Sequence, residues 1–159
     1  MIHHVLVPTD GSENAERAVR FSAQVADRRQ QAEVTVVHVY LQVPSTHIGM
    51  AVLQPEQPFE EMGSLSHQMS ADEQAQAQEI VNHAVELIRS LVTSPDVTVS
   101  GRVVVDTRID DGILKVADET QADIIVVGTR GLSTLRGAIM GSVSHSLIEK
   151  AHCPVLVVK

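Results

Sequence analysis

Aromatic residues are almost absent from this chain, which has no Trp, one Tyr and two Phe. A core must therefore be assembled from Val, Ile, Leu, Ala and Met, and the stacking platforms that hold single-stranded nucleic acid are missing. Cysteine occurs once, at Cys153, so no disulfide can close within the chain; beside Pro154 it reads as a small packed residue. No apolar run approaches the roughly 18 residues that a membrane-spanning helix needs, and the first residues carry no signal-peptide pattern, so the expectation is a cytoplasmic protein without membrane insertion. Basic residues are missing between Arg29 and Arg89, where Glu33, Glu56, Glu60, Glu61, Asp72, Glu73, Glu79 and Glu86 carry the net excess of acid. That distribution argues against a broad polyanion-binding face, and hence against nucleic acid as a partner. Any anion site has to be small and local.

What is present suffices for one ordinary globular domain over residues 1–159, with 43% hydrophobic residues and a net charge of −8. HHVLVP reads as a strand. Ser12 with Glu13 and Glu16 reads as a helix start, continued by Ala15, Ala18, Val19, Ser22, Val25 and Ala26 at helical spacing. EVTVVHVY, Glu33 to Tyr40, is β-branched and nearly continuous in apolar character, as in a parallel strand buried on both faces. From Leu41 to Met69, Pro44, Pro55, Pro58, Gly49 and Gly63 interrupt any periodicity, which predicts a long flexible insertion. Ser70 and Glu73 have the spacing of a capping box, and Ile80, Val81, Ala84, Leu87, Ile88 and Leu91 form one stripe of a helix ending near Pro95. VTVSGRVVV is a strand, Ile109, Ile113, Val116 and Ala117 mark a helix, and DIIVVG is another strand. Val143 to Ala151 is a last helix and PVLVV a last strand.

Strands alternating with helices predict a parallel sheet with helices on both faces, and five strands suggest the flavodoxin-like order 3-2-1-4-5. In that order strands 1 and 4 are neighbours, and their carboxyl ends form the switch point where such sheets bind ligands. Those ends are PTDGS, Pro8 to Ser12, and GTRG, Gly128 to Gly131. The second opens the stretch GTRGLSTLRGAIMGS, where Gly128, Gly131, Gly137 and Gly141 fall close together beside Arg130 and Arg136. Glycines there can let the backbone approach a phosphate ahead of a helix N-terminus, or can serve only a strand exit and a tight helix start; spacing alone leaves both readings open. The stretch lacks the GKS or GKT of a Walker A loop. It is also not the GxGxxG fingerprint, which belongs to a first strand–helix turn.

The spacing Gly128-x2-Gly131-x9-Gly141-Ser142 resembles that of the ATP-binding universal stress proteins, as do VLVPTDGS at the start, VVHVY in the second strand and HCPVLVVK at the end. The resemblance covers the chain apart from 41–69. It implies an adenine nucleotide alpha hydrolase-like fold. It also implies ATP, AMP or ADP as ligand, with Mg2+ brought by the phosphates rather than held by protein alone, and a homodimer formed through Pro154 to Lys159. Pro8, Thr9, Asp10 and Val39 would hold adenine and ribose. Val127, Gly128 and Gly131 would line one wall, and Gly141, Ser142, Val143 and Ser144 would donate to phosphates. Arg130 or Arg136 as the positive charge there is read from position rather than from the resemblance. Many members have Gly-x-Pro-x-x-x-Ile after the third strand, where this chain has Thr107, Ile109 and Ile113. The departure touches the loop beside the nucleotide, while Ile113, Ala117, Ala122 and Asp123 keep the pattern.

Other polar residues read more plainly. Asp10 follows a strand and suits a turn as well as a ribose hydroxyl or a metal. His3 and His4 alternate faces of a strand, so they do not form a metal pair, and His38 reads as a core histidine. Ser142 and His145 have no carboxylate placed to orient them, which disfavours a hydrolase triad. PTDGSEN does not match the SGGxDS loop of N-type pyrophosphatases. Without a P-loop lysine or a recognisable general base, the sequence favours a nucleotide-binding regulatory module whose bound state changes dimer contacts or the acidic loop, and it names no protein partner. A slow ATPase or phosphotransferase and a nucleotide-free dimer remain as alternatives.

Overall fold

The structure, a computed structural model, describes residues 2–28, 31–42, 69–130 and 140–159. Gly131, Arg136 and the interior of the expected 41–69 insertion lie outside these residues. The elements follow in the order β1 (His4–Pro8), α1 (Glu13–Asp27), β2 (Glu33–Leu41), α2 (Ala71–Leu91), β3 (Thr98–Asp106), α3 (Ile109–Thr120), β4 (Ile124–Gly128), α4 (Ser142–Lys150) and β5 (Val155–Val158). All strand pairs are parallel, and the five-stranded sheet has the order β3-β2-β1-β4-β5. The alternation of strands and helices forces this: a parallel neighbour is reached only through a crossover, and each crossover helix covers a face.

The continuous apolar strands supply both faces of the sheet at once. Val5, Val7, Val34 and Val36 join Val19, Ala23, Ala26, Val81, Ala84 and Ile88 in one core layer with α1 and α2. Leu6, Val37, Val39, Ile125 and Val127 join Ile113, Val116, Ala117 and Leu147 in a second with α3 and α4. Because side chains alternate along a strand, the two clusters interleave in sequence. Small residues on α1 let it lie close to the sheet.

Helix starts follow the caps read in the sequence. The Ser12 hydroxyl accepts from the Ala15 N–H at 3.2 Å. Ser70 and Glu73 form the complete capping box, at 3.2 and 2.8 Å. Glu73 also accepts from the Tyr40 hydroxyl at 2.6 Å, fastening α2 to the end of β2. The Thr107 and Ile109 departure leaves α3 intact, because its first residue needs no N–H partner inside the helix whether it is Pro or Ile. His4 is buried and fully bonded, its Nδ1–H donating to the Thr120 carbonyl at 2.7 Å and its Nε2 lying 2.8 Å from the Thr35 hydroxyl.

Candidate functional site

A cavity of about 400 Å3 opens at the carboxyl ends of the central strands, where the connections leaving β1 and β4 part to opposite faces of the sheet. The candidate residues Pro8, Thr9, Asp10, Val39, Val127, Gly128, Arg130, Gly141, Ser142, Val143 and Ser144 all line it; Gly131 is outside the described residues. Val37, Ile109, Ile113, Ala15, Met140 and His38 are the other described lining residues. The cavity thus has an apolar slot of β-branched side chains and a polar end at the start of α4.

Helix polarity separates the two ends. Glu13 and Glu16 stand in the first turn of α1, Asp72 and Glu73 in that of α2, and Asp110 and Asp111 in that of α3, whereas α4 has no acid in its first turn and no side-chain cap on Gly141. Unpaired first-turn N–H groups and the positive end of the helix dipole make such a terminus attractive to an anion. Arg130, the one Lys or Arg among the described lining residues, adds a positive charge.

The segment leading into α4 is clamped at its base. The Thr129 carbonyl accepts from the Gly141 N–H at 2.7 Å and from the Ser144 hydroxyl at 3.1 Å. The Ser144 hydroxyl also lies 3.0 Å from the Gly141 carbonyl, and the residue is 2% exposed. Its proton therefore serves the clamp rather than a ligand, and what Ser144 can offer an anion is its backbone N–H. Gly141 has its own N–H engaged in the same way. Gly128 also plays a part that spacing did not reveal: a Cβ there would lie 2.6 Å from the Asn14 carbonyl oxygen, so the close approach it permits is that of β4 to α1.

On the opposite rim, Asp10 makes the turn expected of it, its Oδ1 accepting from the Ser12 N–H at 3.0 Å. The Thr9 hydroxyl accepts from the Gly11 N–H at 3.2 Å. His38 departs from the expected core role: it is half-buried, borders the cavity, and donates through Nδ1–H to the Thr9 carbonyl at 2.8 Å. Its apolar neighbours gave no sign of this, because the partner comes from another strand end. Ile109, 38% exposed, stands at the mouth.

The helices that flank the cavity, α3 and α4, are joined by a carboxylate the sequence did not single out. Asp110, its side chain 8% exposed, accepts from Arg108 at 2.9 Å, the Ser146 hydroxyl at 2.6 Å and Lys150 at 2.9 Å. Burial works against ionisation of this group, but Arg108, Ser146 and Lys150 outweigh it and hold the carboxyl well below the usual carboxylate range. Since its pKa is lower folded than unfolded, the contribution is complete above the unfolded value of about 3.9 and is lost as pH falls through the folded value. Asp110→Asn is expected to cost about 1–3 kcal/mol at pH 7. Urea unfolding at pH 7 and near pH 2 checks this: the gap between wild type and variant should narrow in acid, and a gap independent of pH would remove the assigned cause.

Comparison with known proteins identifies the family and the fold. The sequence model of the universal stress protein family matches residues 1–159. The chain belongs to the universal stress protein family. A universal stress protein of Thermus aquaticus, named for its place in the QAH/OAS sulfhydrylase 3' region, is 31% identical over 159 residues, with both chains covered completely. The structure of the universal stress protein from Archaeoglobus fulgidus in complex with dAMP is 25% identical with a TM-score of 0.66, covering 100% of this chain and 98% of that one. A universal stress protein in complex with cAMP is 26% identical with a TM-score of 0.67, covering 99% and 96%. The five-stranded fold of this chain is thus shared with universal stress proteins whose structures were solved in complex with cAMP and dAMP.

Proposed function

We propose that this universal stress protein binds an adenine nucleotide, ATP or its di- or monophosphate, and acts as a regulatory module with slow turnover or none. The observation that carries the reading is the pairing, in one cavity, of an apolar slot with the single described helix start free of acid. The cavity suits the ligand's two halves. A purine would lie between Val39, Val127, Ile109 and Ile113, and Asp10 would meet the ribose. The phosphates would take the first-turn N–H groups of α4, the exposed Ser142 hydroxyl and Arg130, and any Mg2+ would ride on the phosphates. Relatives crystallised with dAMP and cAMP favour the same ligand class.

Slow chemistry is supported by what the polar lining groups already do. Asp10 accepts the Ser12 N–H, His38 donates to Thr9, and the Ser144 hydroxyl closes the clamp, so each has a part in holding the loops. Mass spectrometry of nucleotide co-purifying with the protein tests the ligand class, and an adenine nucleotide in about stoichiometric amount is expected. Protein that elutes without nucleotide and takes up none at millimolar concentration would end the reading.

We also infer that the chain pairs with a second copy through β5. Among the described residues this strand lies at one edge of the sheet, paired only with β4, and its four residues are half-buried and apolar with no charge to blunt the edge. Val157→Lys should shift the protein from dimer to monomer in sedimentation equilibrium while circular dichroism keeps its α/β shape. A variant that sediments as the wild type does would count against this edge.

A further inference from the structure

α4 is a short helix with little of its own surface in the core. Of its nine residues only Ser144 and Leu147 are buried, and Ile148 is 48% exposed. α3 is held more firmly, because Asp110, Gly112, Ile113, Val116 and Ala117 of its 12 residues are buried. A Cβ on Gly112 would lie 2.8 Å from the Val39 Cγ1, so the first turn of α3 already sits against β2 with no room to advance. The placement of α4 therefore rests on polar anchors. One is the clamp of Gly141 and Ser144 on Thr129, which fixes where the helix begins. The other is Asp110, whose Oδ2 receives the Ser146 hydroxyl, Lys150 and Arg108 together and so holds the helix one and two turns further on. Two anchored points define the direction of an axis, and the axis decides where the first-turn N–H groups aim.

We propose that Asp110 is a positioning residue for the phosphate end of the cavity: by holding Ser146 and Lys150 against α3, it sets the tilt of α4 and so the aim of the N–H groups that meet an anion. That the anion is a nucleotide's phosphate rests on the functional reading above, whereas the placement of α4 does not. A carboxylate suits the task because one oxygen can take a hydroxyl and two cations at once, and bonds to charged donors are short and strong. Loss of its charge leaves Lys150 with Asp111, whose Oδ1 is 3.8 Å from the Lys150 Nζ and whose side chain is 47% exposed, so the helix is drawn toward a new partner rather than merely released. Ile113, on the firmly held α3, and Val39 and Val127, on the sheet, keep their places. The phosphates are then met differently while the apolar slot is unaltered.

The test uses the full chain stripped of nucleotide, as Asp110→Asn, Ser146→Ala, Ser146→Thr and the double variant that combines Asp110→Asn with Ser146→Ala. Calorimetric titration with ATP and with adenosine is the first readout, because adenosine fills the slot and has no phosphates. Asp110→Asn should lose about tenfold and Ser146→Ala about threefold in affinity for ATP, with adenosine unchanged, and Ser146→Thr, which keeps the hydroxyl, should bind ATP as wild type does. The double variant should lose no more than Asp110→Asn alone, since both changes break one tie. A part in stability alone would leave the ratio of the two affinities where it is. Amide chemical shifts of Ser142, Val143 and Ser144 in the ligand-free proteins are the second readout. They should move in Asp110→Asn and Ser146→Ala and stay in Ser146→Thr, while those of Val5 to Val7 stay in all. If Asp110→Asn does not fold, the contrast between Ser146→Ala and Ser146→Thr carries the same decision. An ATP-to-adenosine ratio equal to that of wild type in the variants without the tie, or first-turn amides that do not move, would overturn the proposal. Wild type that binds neither ligand would refute the functional reading alone, and the amide shifts would still decide the role of Asp110.

Discussion

Replacing Gly128 by alanine is expected to cost about 3 kcal/mol of stability and to lower the melting temperature by about 5–10 °C. The added Cβ would stand 2.6 Å from the Asn14 carbonyl oxygen, 2.8 Å from its carbonyl carbon and 3.2 Å from the Ala15 nitrogen. These are backbone atoms in the first turn of α1, so no side chain can rotate away; either β4 or the whole helix has to move. Both are committed elsewhere. Gly128 sits in register with Val158 of β5, and α1 is buried along Ala15, Ala18, Val19, Ser22, Ala23 and Ala26. Urea and thermal unfolding of the variant measure the cost. Stability within a few tenths of a kcal/mol of wild type would show that α1 is free to shift, and the close approach would lose its meaning.

Gly141→Val is expected to act on the ligand more than on the fold. A Cβ at Gly141 would lie 3.2 Å from the Thr129 carbonyl oxygen and 3.4 Å from the Arg130 Cα, within the clamp that brings Thr129 and Gly141 together. Two further methyl groups at the cavity wall would spread that clamp and shift the first turn of α4. Because the φ of −76° at Gly141 is ordinary for any residue, the backbone itself is not strained by the change. A loss of about 100-fold in ATP affinity, roughly 3 kcal/mol, is the expected result, with unfolding moved by about 1 kcal/mol. Calorimetry and urea unfolding on the same preparation separate the two effects. ATP affinity equal to that of wild type would take the phosphates away from α4.

The fold was legible because its signals are local and repeated. The apolar run at Val5–Val7, the β-branched run at Val34–Val37, the Ser12 cap and the Ser70–Glu73 box each declare an element within a few residues, and the alternation of elements then leaves few topologies. The location of the cavity followed from strand order, since the switch point is a property of topology. What spacing could not supply was the partner of a side chain across the fold. His38 stands among valines and looked like core, yet its partner is the Thr9 carbonyl at the end of another strand. Ser144 looked like a phosphate donor, but its hydroxyl is turned to Thr129 and Gly141. Asp110 carries no signal in the sequence, and only the packing of α4 on α3 brings Ser146 and Lys150 to it. For Gly128 spacing leaves a ligand and a strand exit both open, while α1 sets the stricter demand on it. In each case the missing information was a contact distant in sequence, which neither periodicity nor local propensity encodes.

The central claim is that the cavity between PTDGS and the start of α4 takes an adenine nucleotide and does little chemistry on it. Isothermal titration of ATP with Mg2+ into the full chain, stripped of bound nucleotide and with released phosphate followed on the same samples, addresses it most directly. The account predicts one ATP per chain with a Kd in about the micromolar range, which corresponds to roughly −8 kcal/mol, and phosphate release far slower than about one per second. Absence of binding at millimolar ATP would contradict the site, and turnover at about one per second or faster would contradict the regulatory reading and make the protein an enzyme.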